Sequence, residues 1–222
     1  MMLQAPQLDT TLHFLGELSQ NNQKSWFEAH RANYETARTE FERFLDELIA
    51  EFRASDHLQG LKAKDCLARI YRDVRFTKDK SPYKTNFGAM IAPGGWRATA
   101  LGYYIHIEPQ GRSMVAGGWY DPTPEQLNRF RQAVDEDAQP FKEITVSKEF
   151  IQAFGKVSGD RLKTAPKGYD RTHPEIELLQ LRQVTVIHLF SDSEILSPDL
   201  INQVVACCRA MKPFLNYLTE LQ

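Results

Sequence analysis

Cysteine is scarce in this chain of 222 residues: Cys66, Cys207 and Cys208 are the whole supply. Three thiols cannot build a disulfide framework, and none stands in a CxxC pattern, which excludes the common redox and structural-zinc motifs. Cys207 and Cys208 are adjacent within a helical pattern and read as small core residues. Long hydrophobic runs are also missing, and no stretch approaches the roughly 18 apolar residues of a membrane helix. The start, MMLQAPQLDT, lacks the basic region and apolar core of a secretory signal. These absences lead us to expect a cytoplasmic protein in a reducing compartment, with no membrane partner. Net charge is nearly absent as well, at -2, so no global field marks a nucleic-acid or membrane binder. No P-loop, GxGxxG, HExxH or GxSxG sequence occurs, and no cofactor is expected.

What remains is an ordinary globular composition, 42% hydrophobic and 25% charged, in a chain long enough for one substantial core. Leu8, Leu12, Leu15 and Leu18 step by threes and fours behind an expected cap at Asp9 or Thr10. Tyr34, Ala37, Phe41, Phe44, Leu48 and Phe52 continue that rhythm on a long amphipathic helix. Its charged face, Glu35 to Glu47, reads as solvated surface, and Trp26-Phe27 as a core anchor. From Thr85 to Tyr120 three short apolar runs are separated by Pro93-Gly94-Gly95 and Pro109-Gln110-Gly111, the pattern of an antiparallel meander. In the middle run Tyr103, Ile105 and Ile107 share one face, and Tyr104, His106 and Glu108 the other. Gly94-Gly95 and Gly117-Gly118 both read as hairpin glycines.

Helical signals then return. Thr123-Pro124-Glu125-Gln126 is a capping box with proline at the first helical position, and an amphipathic piece spans about Phe141 to Phe154. A long polar loop, GKVSGDRLKTAPKGYDRTHPE, reads as a binding loop. Val184, Val186, His188 and Phe190 alternate as a strand. Ser197-Pro198-Asp199 caps a last helix that Pro213 should kink or end. The expected fold is one α+β domain over the whole chain: an antiparallel sheet meander flanked by long N- and C-terminal helices.

Charge is distributed unevenly. Between Lys62 and Lys84 stand eight cations (Lys62, Lys64, Arg69, Arg72, Arg75, Lys78, Lys80, Lys84) and three acids (Asp65, Asp73, Asp79). This segment is therefore +5 and the rest of the chain -7, which focuses positive potential on one patch. Arg69, Arg72 and Arg75 either line one flank of a helix or, in extended backbone, place Arg69 and Arg75 together with Arg72 opposite. Ile70, Val74 and Phe76 fit a strand as well as Leu67, Ile70 and Val74 fit a helix. Arginine forks suit phosphate or carboxylate. Ser81-Pro82 begins a turn or a helix whose N-terminus would add backbone donors. Asp73 is either an acid-base group or a brace for the arginines. The bland alternative for the segment is a salt-bridge lattice with acidic helix faces.

The segment RIYRDVRFTKDKSPYKTN, with NNQKSWF before it and PKGYD after it, resembles the domain of unknown function 2461 family. The resemblance runs from about Leu8 to Leu218 and includes YYIHIEP and GGWYDP. It implies that the basic segment is the family's hallmark, that Lys167, Gly168 and Tyr169 form a second one, and that one compact domain covers the chain. It implies no activity. One departure is Thr77, where serine is expected; the hydroxyl is kept.

The expected ligand site is Arg69, Arg72, Asp73, Arg75, Lys78, Lys80, Tyr83 and Lys84, with Lys167 and Tyr169 closing over an anion. The expected partner is an anionic small molecule or a nucleic-acid end. The rivals are a phosphoester-type hydrolase or transferase, with Asp73 or His106 handling protons, and a basic docking module for an acidic protein. Other candidates are weaker. His106, Glu108, Asp170 and His173 carry metal-ligand chemistry, but nothing fixes their relative positions and no metal is expected. The H-x-E deaminase pattern lacks its PCxxC. Ser81 beside Lys80 or Lys84 has no legible oxyanion hole. Tyr103, Tyr104, Trp119 and Tyr120 suit base stacking but read first as sheet core.

Overall fold

The computed structural model describes residues 8–222. The four strands form one antiparallel sheet in sequence order, β1 (Phe87–Ile91), β2 (Tyr103–Ile107), β3 (Ser113–Trp119) and β4 (Val184–Phe190), and helices make up most of the remaining regular structure. The α+β class read from the sequence is what the chain adopts. The chain divides into two compact units, one running up to Val115 and including Leu189–Ala206, the other comprising Ala116–His188 and Cys207–Gln222.

In the first unit, α1 (Asp9–Gln20), α2 (Lys24–Ala29) and α3 (Arg31–Phe52) form the N-terminal helical layer. The apolar stripe of α3 is buried as its spacing requires, through Ala37, Phe41, Phe44, Leu48 and Phe52. Neither Asp9 nor Thr10 caps α1, whose N-cap residue is Leu8 and makes no side-chain cap bond. The free amides at that end are taken instead by Glu40 of α3, which accepts from the Thr11 backbone N–H and from its hydroxyl, both at 2.7 Å. A carboxylate there also suits the positive end of the helix.

Strands β1 and β2 pair with Gly88 opposite His106 and Met90 opposite Tyr104. The alternation read in β2 holds: Tyr103, Ile105 and Ile107 are buried and the intervening residues half-buried. Gly94 (φ 96°) and Gly95 (φ 64°) make the turn after β1. The same unit holds the short α4 (Ala63–Cys66) and α9 (Asp192–Ile195), the latter capped by a Ser191–Glu194 box.

The second unit contains α5 (Pro124–Glu136), α6 (Gln139–Thr145), α7 (Lys148–Phe154) and α8 (Ile176–Leu179). The capping box at Thr123 forms as expected, with Gln126 N–H donating to Thr123 Oγ1 at 3.2 Å and Thr123 N–H to Gln126 Oε1 at 2.9 Å. The piece read as one helix from Phe141 to Phe154 is two, because Ser147 caps a new start by accepting from Phe150 N–H. Gly117 and Gly118 are strand residues of β3, not hairpin residues. A Cβ at Gly118 would lie 2.2 Å from the Val184 carbonyl oxygen, so the close neighbouring strand requires glycine there. Helix α10 (Leu200–Glu220) continues through Pro213. Beyond that residue Phe214, Leu215 and Leu218 remain buried, and their packing holds the last turns helical.

Candidate anion site

The basic segment is extended. Leu67 bridges to Ala89 and Tyr71 to Tyr83 in antiparallel fashion. Ala68 N–H donates to Gly88 O, Arg72 N–H to Pro82 O and Lys84 N–H to Ile70 O, at 2.8, 3.0 and 2.8 Å. Two ragged arms therefore run out from the edge of β1 and back, and Ser81-Pro82 starts no helix. No helix N-terminus contributes to anion binding at that point.

The return arm is fastened from the N-terminal layer. Asn22 brackets the Tyr83 backbone: its Nδ2 donates to Tyr83 O at 2.9 Å, and its Oδ1 accepts from Tyr83 N–H at 3.1 Å. Phe27 stacks on the Tyr83 ring, with centroids 4.0 Å apart and planes 13° from parallel. Tyr83 is only 2% exposed, so it anchors the arm rather than meeting ligand. The stretch NNQKSWF is the clamp that holds SPYKTN, and Trp26-Phe27 acts as the core anchor expected of it through Phe27.

The hairpin tip is a self-contained polar lattice. Arg72 pairs with Asp79 and donates to the Ser81 carbonyl. Arg75 forks onto Asp73 at 2.9 and 2.7 Å. Lys80 Nζ donates to Val74 O at 2.8 Å, and Asp79 accepts from Ser81 N–H and Oγ. These contacts hold the Asp73 and Asp79 carboxyls below the usual range, Asp73 chiefly through the Arg75 side chain and Asp79 through Ser81 and then Arg72. A bridged, exposed Asp73 is a brace and no general base. Lys78 and Phe76 project to solvent. The lattice is local, its ion pairs joining residues within the segment, while Glu42 and Glu40 of α3 engage Arg38 and Thr11.

Arg69 and Lys84 face another way. They line an open cavity of about 1150 Å3 with Lys64, Arg97, Asp65, Trp96, His57 and the 58–61 backbone turn. Four cations thus share a space with one carboxylate, Asp65, which accepts from the Lys62 backbone N–H at 3.3 Å. None of Lys64, Arg69, Lys84 and Arg97 has a carboxylate within 4.0 Å among the described residues. Burial, and then the charge of Arg69, pushes the Lys84 ammonium below its usual pKa. Its one close partner is the Trp96 ring, 5.7 Å from Nζ to centroid. A smaller cavity of about 310 Å3, lined by Tyr34, Arg38 and Tyr71, shares Lys64, Leu67 and Arg69 with the first.

The chain matches the model of the conserved hypothetical protein family DUF2461 over residues 10–217. It belongs to that family. No curated protein and no solved structure matches the chain. In this DUF2461 chain the basic segment thus does two jobs: its tip pairs with itself, and its roots bring Arg69 and Lys84 to the cavity.

Lys167 and Tyr169 do not line either cavity. In the second unit Tyr169 sits edge-on to His173 at 6.4 Å, and burial raises its phenol pKa, with the Asp135 charge adding to the rise. The loop around them is partly tied down, by bridges from Ser158 to Thr185 and from Arg161 to Leu181. His173 bonds Asp135 at 3.0 Å, while His106 bonds Glu108 at 2.9 Å, and no cluster of metal-ligating side chains occurs among the described residues.

Sequence reasoning missed Arg97 and Trp96 and left Lys64 only in the charge count. No local signal marks Arg97. The aromatic residues singled out were others: Tyr103 and Trp119 are buried, Tyr104 half-buried and Tyr120 exposed, while exposed Trp96 lines the cavity.

One further array lies on the other face of β2. His106 Nε2 faces Glu108 Oε2 and so carries the proton, while its Nδ1 accepts from the Tyr104 hydroxyl at 3.1 Å and Asn86 Nδ2 at 3.3 Å. Burial alone would raise the Glu108 carboxyl; hydrogen bonds from His106, Arg112 and Thr85 outweigh it and hold the group low. Gly88 leaves room for Tyr104, since a Cβ there would lie 2.9 Å from the phenol oxygen. The Tyr104 and Trp96 rings lie 6.4 Å apart.

Proposed function

We propose that this protein binds a phosphate-bearing ligand, or another multiply charged anion, in the cavity of Arg69, Lys84, Lys64 and Arg97. The observation that carries the reading is the convergence of four cations on a cavity with a single carboxylate, Asp65, none of the four bridged to an acid among the described residues and one of them half-buried beside another. Keeping half-buried Lys84 charged beside Arg69 costs free energy in the empty protein, and an anion offsets that cost. A structural lattice would show the opposite arrangement, its arginines bridged to acids, as Arg72 and Arg75 are at the hairpin tip. The candidate ligands are an anionic small molecule or a nucleic-acid end. A concave site with Lys84 drawn inward favours either over docking of an acidic protein face. The test is calorimetric titration with inorganic tripolyphosphate. Saturable binding that Arg69→Met and Lys84→Met each weaken is expected, and no binding to wild type at near-physiological salt rejects the proposal.

A second reading, a phosphoester-type hydrolase or transferase, rests on the Tyr104–His106–Glu108 array. Glu108 fixes the tautomer that leaves His106 Nδ1 basic and would stabilise an imidazolium, as a general base requires. The measurement is phosphoester cleavage, read as p-nitrophenol released from p-nitrophenyl phosphate and from bis(p-nitrophenyl) phosphate. Turnover that His106→Gln abolishes while affinity is kept supports this reading, and absence of turnover removes it without touching the first.

A further inference from the structure

The role of Trp96 is left open by anion binding alone. The indole is 42% exposed, among the few large apolar side chains left at the surface. It is carried on a 3-10 turn, Gly95–Arg97, whose position is fixed. Gly95 N–H donates to Ala92 O at 2.8 Å and Ala98 N–H to Gly95 O at 2.9 Å. A Cβ on Gly95 would come within 2.3 Å of the Asp65 carbonyl oxygen, so the turn sits directly on α4, from which Lys64 reaches the same cavity. The turn therefore presents its indole in a set place, alongside the four unbridged cations.

We infer that the cavity takes a nucleoside polyphosphate, with its base stacked on Trp96 and its phosphates held by Arg69, Lys84, Lys64 and Arg97. This rests on the phosphate-binding reading above and adds the base. The argument has three parts. An exposed aromatic plane beside unpaired cations is the pairing that nucleotides and single-stranded nucleic acids exploit, because every base offers an apolar face next to a charged group. Lys84 Nζ lies 5.7 Å from the Trp96 centroid, so a phosphate taking that amine has its own nucleoside beside the ring. Four cations against one engaged carboxylate match the charge of a di- or triphosphate better than that of a single carboxylate ligand.

The test compares ATP with inorganic tripolyphosphate, which carries similar charge without a base, on wild type and on Trp96→Leu and Trp96→Phe. Wild type is expected to bind ATP about 10- to 100-fold more tightly than tripolyphosphate, the contribution of one aromatic stack. Trp96→Leu is expected to erase that difference and leave tripolyphosphate affinity unchanged, while Trp96→Phe keeps most of it. Unchanged melting temperatures establish that the variants fold. Equal affinity of wild type for the two ligands, or a Trp96→Leu protein that still prefers ATP, overturns the base assignment while phosphate binding stands. Tripolyphosphate binding with no ATP binding overturns it too. Loss of both ligands from wild type strikes the phosphate reading itself. A 5′-phosphorylated trinucleotide run beside ATP separates the two sources of this chemistry: tighter binding of the oligonucleotide assigns the base and phosphate to a nucleic-acid end, tighter ATP to a free nucleotide.

Discussion

Arg69 and Arg72 are three residues apart in one charged segment, yet their environments predict opposite consequences for their loss. The Arg72 side chain is 26% exposed, pairs with Asp79 and donates to the Ser81 carbonyl at 3.3 Å. Removing that partly buried charged hydrogen bond in Arg72→Met costs roughly 1 kcal/mol, and the exposed ion pair adds little. For a chain of this size, that lowers the melting temperature by about 2–4 °C. Arg69 has no ion-pair partner and sits near another cation, so Arg69→Met is expected to move the melting temperature by less than about 1 °C. Binding reverses the order. One charge-assisted interaction with phosphate contributes about 1.5–3 kcal/mol, so Arg69→Met should weaken tripolyphosphate roughly 10- to 100-fold, while Arg72→Met leaves it within about threefold. Scanning fluorimetry and calorimetry on the same two proteins, at constant ionic strength, read both axes. If Arg69→Met is the destabilised protein and binds normally, Arg69 belongs to a structural lattice and the cavity assignment is wrong.

Other outcomes follow from single groups. The Lys84 ammonium titrates below its ordinary 10.5 because it is buried and close to Arg69. The charged form binds anion, so affinity should fall as pH rises through that depressed value, and Lys84→Arg should keep binding to higher pH; a wild-type affinity that holds unchanged as pH passes 10.5 would remove Lys84 from the site. Glu108 has the opposite sign. Its folded pKa is depressed, so its stabilising contribution is present above the unfolded value near 4.3 and lost as pH falls through the folded one. Glu108→Gln should therefore flatten the acid limb of the stability curve, and an acid limb identical to wild type would show the group contributes nothing there. Asn22→Leu removes both bonds to the Tyr83 backbone and should cost about 2 kcal/mol. Hydrogen exchange should then quicken at Lys84 N–H before the β2 amides, and uniform acceleration would mean that Asn22 is no local clamp.

What the sequence made legible was whatever repeats at a fixed period. The stripe of α3, the alternation of β2 and the capping box at Thr123 depend on neighbours three, two and three residues away, and each stands where expected. Partners set by tertiary contact were not legible. Glu40 reaches the start of α1 from 29 residues away, and Asn22 holds Tyr83 across 61. The basic segment was ambiguous for a definable reason. Of its apolar residues Ile70 is buried, Val74 half-buried and Phe76 92% exposed, so the apparent strand periodicity contained one residue left at the surface, with the Arg75 guanidinium over its ring. Charge count picked out the segment and could not sort it, because a bridged arginine and an unbridged one are the same letter.

That sorting is what the fold supplies. The acids inside the hallmark lie at Asp73 and Asp79, within reach of Arg75 and Arg72, and they neutralise the tip. At the roots, where the arms join β1, no carboxylate lies within 4.0 Å of Arg69 or Lys84 among the described residues. Holding two cations close requires that their backbones be immobilised by something other than charge, since repulsion works to separate them. Here the immobilising contacts are neutral: the Asn22 bracket and the Phe27 stack on Tyr83, next to Lys84, and the ladder bonds of Ala68 and Lys84 on either side of Arg69. An arrangement that uses neutral bonds to keep positive charges together and unpaired makes sense as preorganisation for an anion, whose binding then requires no reordering of the arms. It also gives NNQKSWF, uncharged but for one lysine and remote in sequence, its place beside the basic segment: Asn22 and Phe27 hold Tyr83, and with it the arm that carries Lys84.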